Sequence, residues 1–261
     1  MSDYRADLEL ALELADRADA ISLARYRALD LIIETKPDLT PVTDADKAVE
    51  QALRDHLRLN RADDAIVGEE FGSSGAARRK WIIDPIDGTA NFVRGVPIWA
   101  TLIALSVDAH PTVSVVSAPA MGLRWWAAEG SGAFARDIDG GVRKLTVSKV
   151  GQVSDASISY NSLQLWQQSE FLNGLLELSA KVWRTRAFGD FYSYMLLAEG
   201  AIDVVAEHDL KIYDIAALVP IVEQAGGQFS SLEGELTESS SSILASNSLL
   251  HEKIRQALMG S

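Results

Sequence analysis

The chain of 261 residues contains no cysteine, which excludes disulfides, thiolate metal sites and cysteine nucleophiles. Histidine is scarce as well, at four residues, so a metal centre built on imidazole has little to draw on. No apolar run approaches the roughly 20 residues that span a bilayer, and the stretch Trp99 to Val107 reads as a buried strand. The opening MSDYRADLELALELADRADA lacks the basic-then-apolar plan of a secretion signal, which makes the cytoplasm the expected location. Basic residues are outnumbered, 24 Lys and Arg against 37 Asp and Glu, for a formal net charge of −13. That balance argues against a nucleic acid or an anionic membrane surface as partner. So acidic a chain can handle a phosphorylated substrate if it first recruits cations, and its acids must then be clustered.

What is present describes an ordinary globular protein, 48% hydrophobic and 23% charged, long enough for one large domain or two halves folded together. Leu8, Ala11, Leu12, Ala15 and Ala18 recur at helical spacing and predict a helix over residues 4–24. A second helix is expected from Asp44 to Leu59, with Val49, Ala52, Leu53 and Leu57 inward and Thr43 or Asp44 at its start. Short β-type runs follow at 65–67, 81–83, 99–107, 112–117 and 123–128. After Ser154 strands (156–160, 182–185, 202–206, 228–232, 243–245) alternate with helices (166–178, 191–199, 213–224 and one from Leu249). Such alternation predicts layered α/β packing.

The most informative stretch is WIIDPIDGTANFVRG, residues 81–95. A strand end and a proline-stiffened turn can aim Asp84 and Asp87 into one pocket, with the Ile86 carbonyl exposed between them. Gly88-Thr89 can then open a helix whose free N–H groups would make an anion site beside the cations. Taken singly, D-P and D-G are common turn formers, Glu69-Glu70 is a solvated face and Asp214 is a helix cap. Together they are a set of oxygen donors at strand ends and helix starts, and hard divalent cations such as Mg²⁺ prefer oxygen ligands.

The segments DLTPVTDAD (38–46), GEE (68–70), WIIDPIDGTANF (81–92) and YDIAALVPIVEQAGG (213–227) resemble, in order and spacing, the signatures of the inositol monophosphatase family. Within it the likeness is closest to bacterial histidinol-phosphate phosphatases of actinobacterial type, through TKPDLTPVTDAD, GEEFG, NFVRGVP, SAPA, RWWAA and Gly189-Asp190. The resemblance implies an αβαβα sandwich, with a metal- and phosphate-binding half over residues 1–150 and a substrate-binding half over 151–261. It also implies a homodimer and two to three Mg²⁺ ions per site. The implied activity is hydrolysis of a small phosphate ester, histidinol phosphate, in histidine biosynthesis.

The family's roles carry over residue by residue. Glu69, Asp84 and the Ile86 carbonyl match a first metal position, and Asp84, Asp87 and Asp214 a second, with a weaker third ion near Glu69. Asp44 matches the acid that orients the attacking water with the Thr89 hydroxyl, and Gly88 and Thr89 match the phosphate-binding amides. Asp190, Glu207, Arg186 and Lys211 are expected on the substrate side. Lys211 stands where the family often has His, Tyr213 replaces the usual Trp, and Asp190 replaces a small residue after Gly189. An acid at 190 invites a cationic substrate; its alternative role is to cap the helix that follows. Two rivals remain at this level: a relative acting on inositol phosphate, a sugar bisphosphate or a phosphorylated adenosine nucleotide, and a cation-binding regulatory protein without hydrolysis.

Overall fold

A computed structural model describes residues 4–260. The chain begins with α1 (Arg5–Arg25), a hairpin of β1 (Ile33–Thr35) and β2 (Pro41–Thr43), and α2 (Asp44–Asn60). Next come β3 (Ala65–Gly68), β4 (Gly72–Ser74), β5 (Arg79–Asp87), the single turn α3 (Thr89–Val93), β6 (Ala100–Val107) and β7 (His110–Ala118). The meander continues through β8 (Leu123–Ala128), β9 (Gly132–Arg136) and β10 (Val142–Lys144). The remainder runs β11 (Ser157–Tyr160), α4 (Leu163–Trp166), α5 (Leu172–Ser179), β12 (Arg184–Arg186), α6 (Asp190–Ala198) and β13 (Val204–His208). It closes with α7 (Ile212–Ile215), α8 (Leu218–Gln224), β14 (Gln228–Ser231), β15 (Ser242–Ser246) and α9 (His251–Met259).

Five layers result. An eight-stranded sheet, ordered β10-β9-β8-β7-β6-β5-β3-β4, and a five-stranded sheet, ordered β12-β11-β13-β15-β14, sandwich α6 and α8 between them. The outer face of the larger sheet is covered by α1 and α2, and that of the smaller by α4, α5 and α9. The sequence dictates the contact of α1: Ala11, Ala15 and Ala18 sit fully buried beside Leu10 and Leu14, and small side chains let the helix lie close on the strands. Each fully buried Leu or Ile in these layers contributes about 1.5–3 kcal/mol.

The larger sheet is antiparallel except where β3 and β5 run parallel, Gly68 beside Ile83. Their carboxyl ends therefore emerge together, bringing Glu69 next to Asp84. On a regular strand, residues three apart face opposite sides. Between Asp84 and Asp87 the register with β6 shifts, because Pro85 has no N–H for the ladder. That irregularity turns both aspartates toward the same cleft. The continuous helix expected over 213–224 is two helices instead, since Pro220 cannot donate to the Ala216 carbonyl one turn back; α7 is thereby free to present Asp214. Likewise the helix expected over 166–178 is split into α4 and α5.

Candidate active site

The cleft of about 280 Å³ between the two sheets is lined by Glu69, Asp84, Asp87, Gly88, Thr89, Asp190, Lys211 and Asp214 among others. Asp84, Asp87 and Asp214 each bring a carboxylate oxygen within 4.8 Å of the other two. Asp84 is fixed by accepting the Ile86 N–H at 3.0 Å. Asp214 accepts the Lys211 N–H at 2.6 Å, inside the first turn of α7. Asp87 accepts the Phe191 N–H at 2.7 Å, so a residue of the larger sheet caps α6 in front of the smaller one.

Such crowding of like charges is costly, and the carboxyls respond by holding protons more tightly. Burial, then the charges of Glu69, Asp87 and Asp214, raises Asp84 far above the usual carboxylate range. Burial, then Asp190 and Asp214, does the same to Asp87. Asp214 is pushed up to about 7, chiefly by burial. These groups suit a cation rather than an anion: the donors are all oxygen, Asp84 is buried and Asp87 and Asp214 are half-buried, and positive charge among them would relieve their repulsion. The fit of hard divalent ions such as Mg²⁺ to this donor set is therefore good.

The hairpin of β1 and β2 adds a residue the sequence reading missed. Lys36 Nζ lies 2.7 Å from Glu69 Oε1 and 2.6 Å from Glu70 Oε1, setting an ammonium at the edge of the cluster. Gly88 is in the left-handed region at φ 83°. A Cβ there would lie 3.1 Å from the Ile98 carbonyl and 3.2 Å from Asp190 Oδ2, so only glycine lets the chain turn from β5 into α3 beside Asp190.

A model of the inositol monophosphatase family matches residues 3–260. The chain belongs to this family. It is 51% identical over 258 residues to a histidinol-phosphatase of Streptomyces coelicolor, covering 97% of each chain. It is 52% identical over 250 residues to that of Mycobacterium tuberculosis, covering 95% of this chain and 96% of the relative. Among solved structures, an inositol monophosphatase from Zymomonas mobilis superposes with a TM-score of 0.86 at 35% identity, over 99% of both chains. The layered α/β architecture is thus that of a family of metal-dependent phosphatases.

Four expectations need correction or sharpening against the geometry of this family member. Asp44 does not meet Thr89. It occupies the first position of α2, where its side chain turns away from the cleft and pairs with Arg25 at 2.8 Å. The acid that Thr89 meets is Asp46, two residues on: Thr89 Oγ1 lies 3.1 Å from Asp46 Oδ1 and 2.9 Å from the Ile86 carbonyl. Asp46 is held by a capping box, its other oxygen accepting the Thr43 N–H at 2.8 Å. Arg186 is exposed on β12, donates to the neighbouring Thr185 carbonyl and does not line the cleft. Glu207 lies beneath the lining, 1% exposed, with one oxygen accepting the Tyr194 hydroxyl at 3.0 Å and the other unpartnered. Burial and the Asp190 charge push it up to about 8.

Asp190 does line the cleft, and it does not cap α6, because Asp87 has taken that N–H. Its backbone is left-handed, φ 48°, a conformation that costs a non-glycine residue of order 1–3 kcal/mol. Its Oδ2 accepts from the Asn91 amide at 3.3 Å. Lys211 lines the cleft with its ammonium 3.3 Å from Asp209.

Proposed function

We propose that this chain is a Mg²⁺-dependent phosphomonoesterase that hydrolyses histidinol phosphate to histidinol and inorganic phosphate, a step of histidine biosynthesis. The observation that carries the metal-dependent part is the convergence of Asp84, Asp87 and Asp214 oxygens within 4.8 Å. The substrate rests on the histidinol-phosphatases that are half identical over nearly the whole chain, together with an acid at 190.

Glu69, Asp84 and the Ile86 carbonyl would hold one ion, Asp84, Asp87 and Asp214 a second, and a third would lie near Glu69. Bound Mg²⁺ supplies positive charge that offsets the phosphate dianion and makes water more acidic. The chain's own residues do the rest. The Thr89 hydroxyl donates to Asp46, 3.1 Å away, which leaves its lone pairs to accept a hydrogen bond from a water in the cleft and links that water to Asp46. That orients the water for attack on phosphorus, and Asp46, whose proton affinity burial has raised, takes up the proton released. The ester P–O bond breaks as the new one forms, and the departing oxygen takes a proton from solvent at the open side of the cleft to leave as the alcohol. Gly88 and Thr89 sit where their N–H groups would steady the phosphate.

Histidinol phosphate carries an ammonium and an imidazole beyond its phosphate, and Asp190 is the acid positioned to receive one of them. A charge-assisted hydrogen bond of this kind contributes about 1.5–3 kcal/mol. Glu207 adds negative charge from below, and Lys211 faces the substrate side of the cleft. The expected homodimer, the cytoplasmic location and the division into halves near residue 150 belong to the same proposal; light scattering, cell fractionation and limited proteolysis test them. The substrate is tested by phosphate release from histidinol phosphate, inositol 1-phosphate, fructose 1,6-bisphosphate and phosphoadenosine phosphate, with and without Mg²⁺. Preference for any of the last three overturns the substrate, and no release from any of them overturns the enzyme.

A further inference from the structure

The loop that carries Glu69 has almost no structure of its own. Three residues, Glu69, Glu70 and Phe71, join β3 to β4, and their backbone donors must go somewhere. Glu69 N–H reaches the Ile83 carbonyl at 3.3 Å, just before Asp84. The other two converge on one buried side chain: Glu70 N–H donates to Glu50 Oε2 at 2.7 Å and Phe71 N–H to Glu50 Oε1 at 3.1 Å. Glu50 is fully buried, and its charge is met by Arg54 Nε at 2.7 Å, one turn along α2. The same guanidinium continues across the hairpin, donating to the Gly72 carbonyl and, at 3.2 Å, to Ser74 Oγ.

The contact is close enough to fix a residue type. A Cβ on Gly68 would fall 2.0 Å from Glu50 Oε1, so the carboxylate occupies the space a side chain would need. Along α2, Asp46, Glu50 and Arg54 follow one another at intervals of four and form one buried stripe. One face of a helix thus holds both the partner of Thr89 and the support of the Glu69 loop.

We infer that Glu50, braced by Arg54, is a positioning residue that fixes the Glu69 loop for cation binding; this rests on Glu69 being a metal ligand as proposed above. Glu50 touches neither the cleft nor a substrate. Its two oxygens replace the strand partner that the loop lacks, and a backbone so held delivers the Glu69 carboxylate to Asp84 without reorganisation. Glutamine in its place has the same shape but sets an NH₂ against donors from the loop or from Arg54, leaving a buried clash of donors.

The test is Mg²⁺ affinity of the purified chain, measured by calorimetry and, with Mn²⁺ as probe, by electron paramagnetic resonance. Glu50→Gln should bind about tenfold more weakly, the low end of what supporting residues around metal ligands are worth. Asp64→Asn serves as the control: it loosens another acid, which holds Arg79 at 3.0 Å and the Trp81 indole at 2.9 Å at the far end of β3. That variant should keep its affinity within about twofold. Equal weakening in both variants would mean general loosening and overturn the inference. Unchanged affinity in Glu50→Gln with weakened binding in Glu69→Gln overturns the inference alone, whereas unchanged affinity in Glu69→Gln overturns the metal assignment with it. If Glu50→Gln does not fold, Arg54→Lys, which keeps the charge and gives up the fork to the hairpin, is read by the same outcomes.

Discussion

Replacing Asp84 by Asn should make the metal-free protein more stable and the Mg²⁺-treated protein less responsive. Asp84, Asp87 and Asp214 bring oxygens within 4.8 Å, and two full charges at that distance repel by about 3.5 kcal/mol at an effective dielectric of ~20. The metal-free protein softens this by retaining protons: burial, then the charges of Glu69 and Asp190, pushes Asp214 up to about 7. At about pH 8 the relief from deleting one charge is then roughly 1–3 kcal/mol, and a chain of this size gains about 2–4 °C in Tm per kcal/mol. Asparagine keeps an oxygen to accept the Ile86 N–H, so the turn is retained. The sign with pH follows from the direction of the shift. Between the ordinary carboxylate value of 3.8 and about 7, folded Asp214 holds a proton that the unfolded chain has lost, so chelated wild type should lose stability as pH rises through that window. Excess Mg²⁺ should remove the slope. Differential scanning calorimetry with chelator and with Mg²⁺ reads both effects. The reasoning is refuted if the variant is less stable than wild type in chelator, or if Mg²⁺ raises the Tm of both equally.

Three further outcomes are expected. Thr89→Val and Asp46→Asn should each lower kcat by about 10²-fold or more with little change in KM, and the double variant should lose scarcely more than either, as members of one relay do; Asp44→Asn should leave kcat within a few-fold, which steady-state kinetics on all four would show. Asp190→Asn should cut the preference for histidinol phosphate over inositol 1-phosphate by about 10–100-fold, measured as the ratio of kcat/KM values, while Tm holds or rises. His251, buried between Ser230 and Ser246 at 2.8 and 2.9 Å, has its pKa lowered to about 4, mainly by burial. Its contribution is therefore full above the unfolded value of 6.5 and lost as pH falls through about 4, so the Tm gap between wild type and His251→Gln should narrow across that window.

That Asp84 and Asp87 share a pocket was legible because their placement is local: a strand, a proline and a second aspartate suffice, although the register shift that achieves it was not. The alternation of strands and helices after Ser154 reached as far as layered α/β packing, and the αβαβα order of the layers came from the family resemblance. Asp44 was mistaken for Asp46 because the two stand in one short motif and only the first is flanked by the strand-to-helix junction. The signal that separates them was present, since Thr43 and Asp46 form a T-x-x-D capping box and Asp46, Glu50 and Arg54 share a stripe. An acid at the third position of a helix bends back toward its start, whereas one at the first points outward. The pairing of Arg25 with Asp44, 19 residues apart, and of Lys36 with Glu69, 33 apart, depends on how a hairpin lies across a sheet, which no periodicity records. Glu207 was expected on the substrate side from the resemblance, and only the packing of α6, whose Tyr194 hydroxyl it accepts, shows that it lies beneath the cleft.

The hydrogen bond from Phe191 to Asp87 spans 104 residues and has a kinetic meaning. Because one carboxylate both caps a helix of the smaller sheet and belongs to the acidic cluster at the edge of the larger, neither sheet can complete the cleft before the two have docked. Partly folded chains consequently offer no finished binding site, and an ion captured there rewards only the final assembly. Interactions made after the rate-limiting step slow unfolding without hastening folding. Bound cations should accordingly act on this protein as a brake on its disassembly, prolonging the life of the native state far more than they shorten the time needed to reach it.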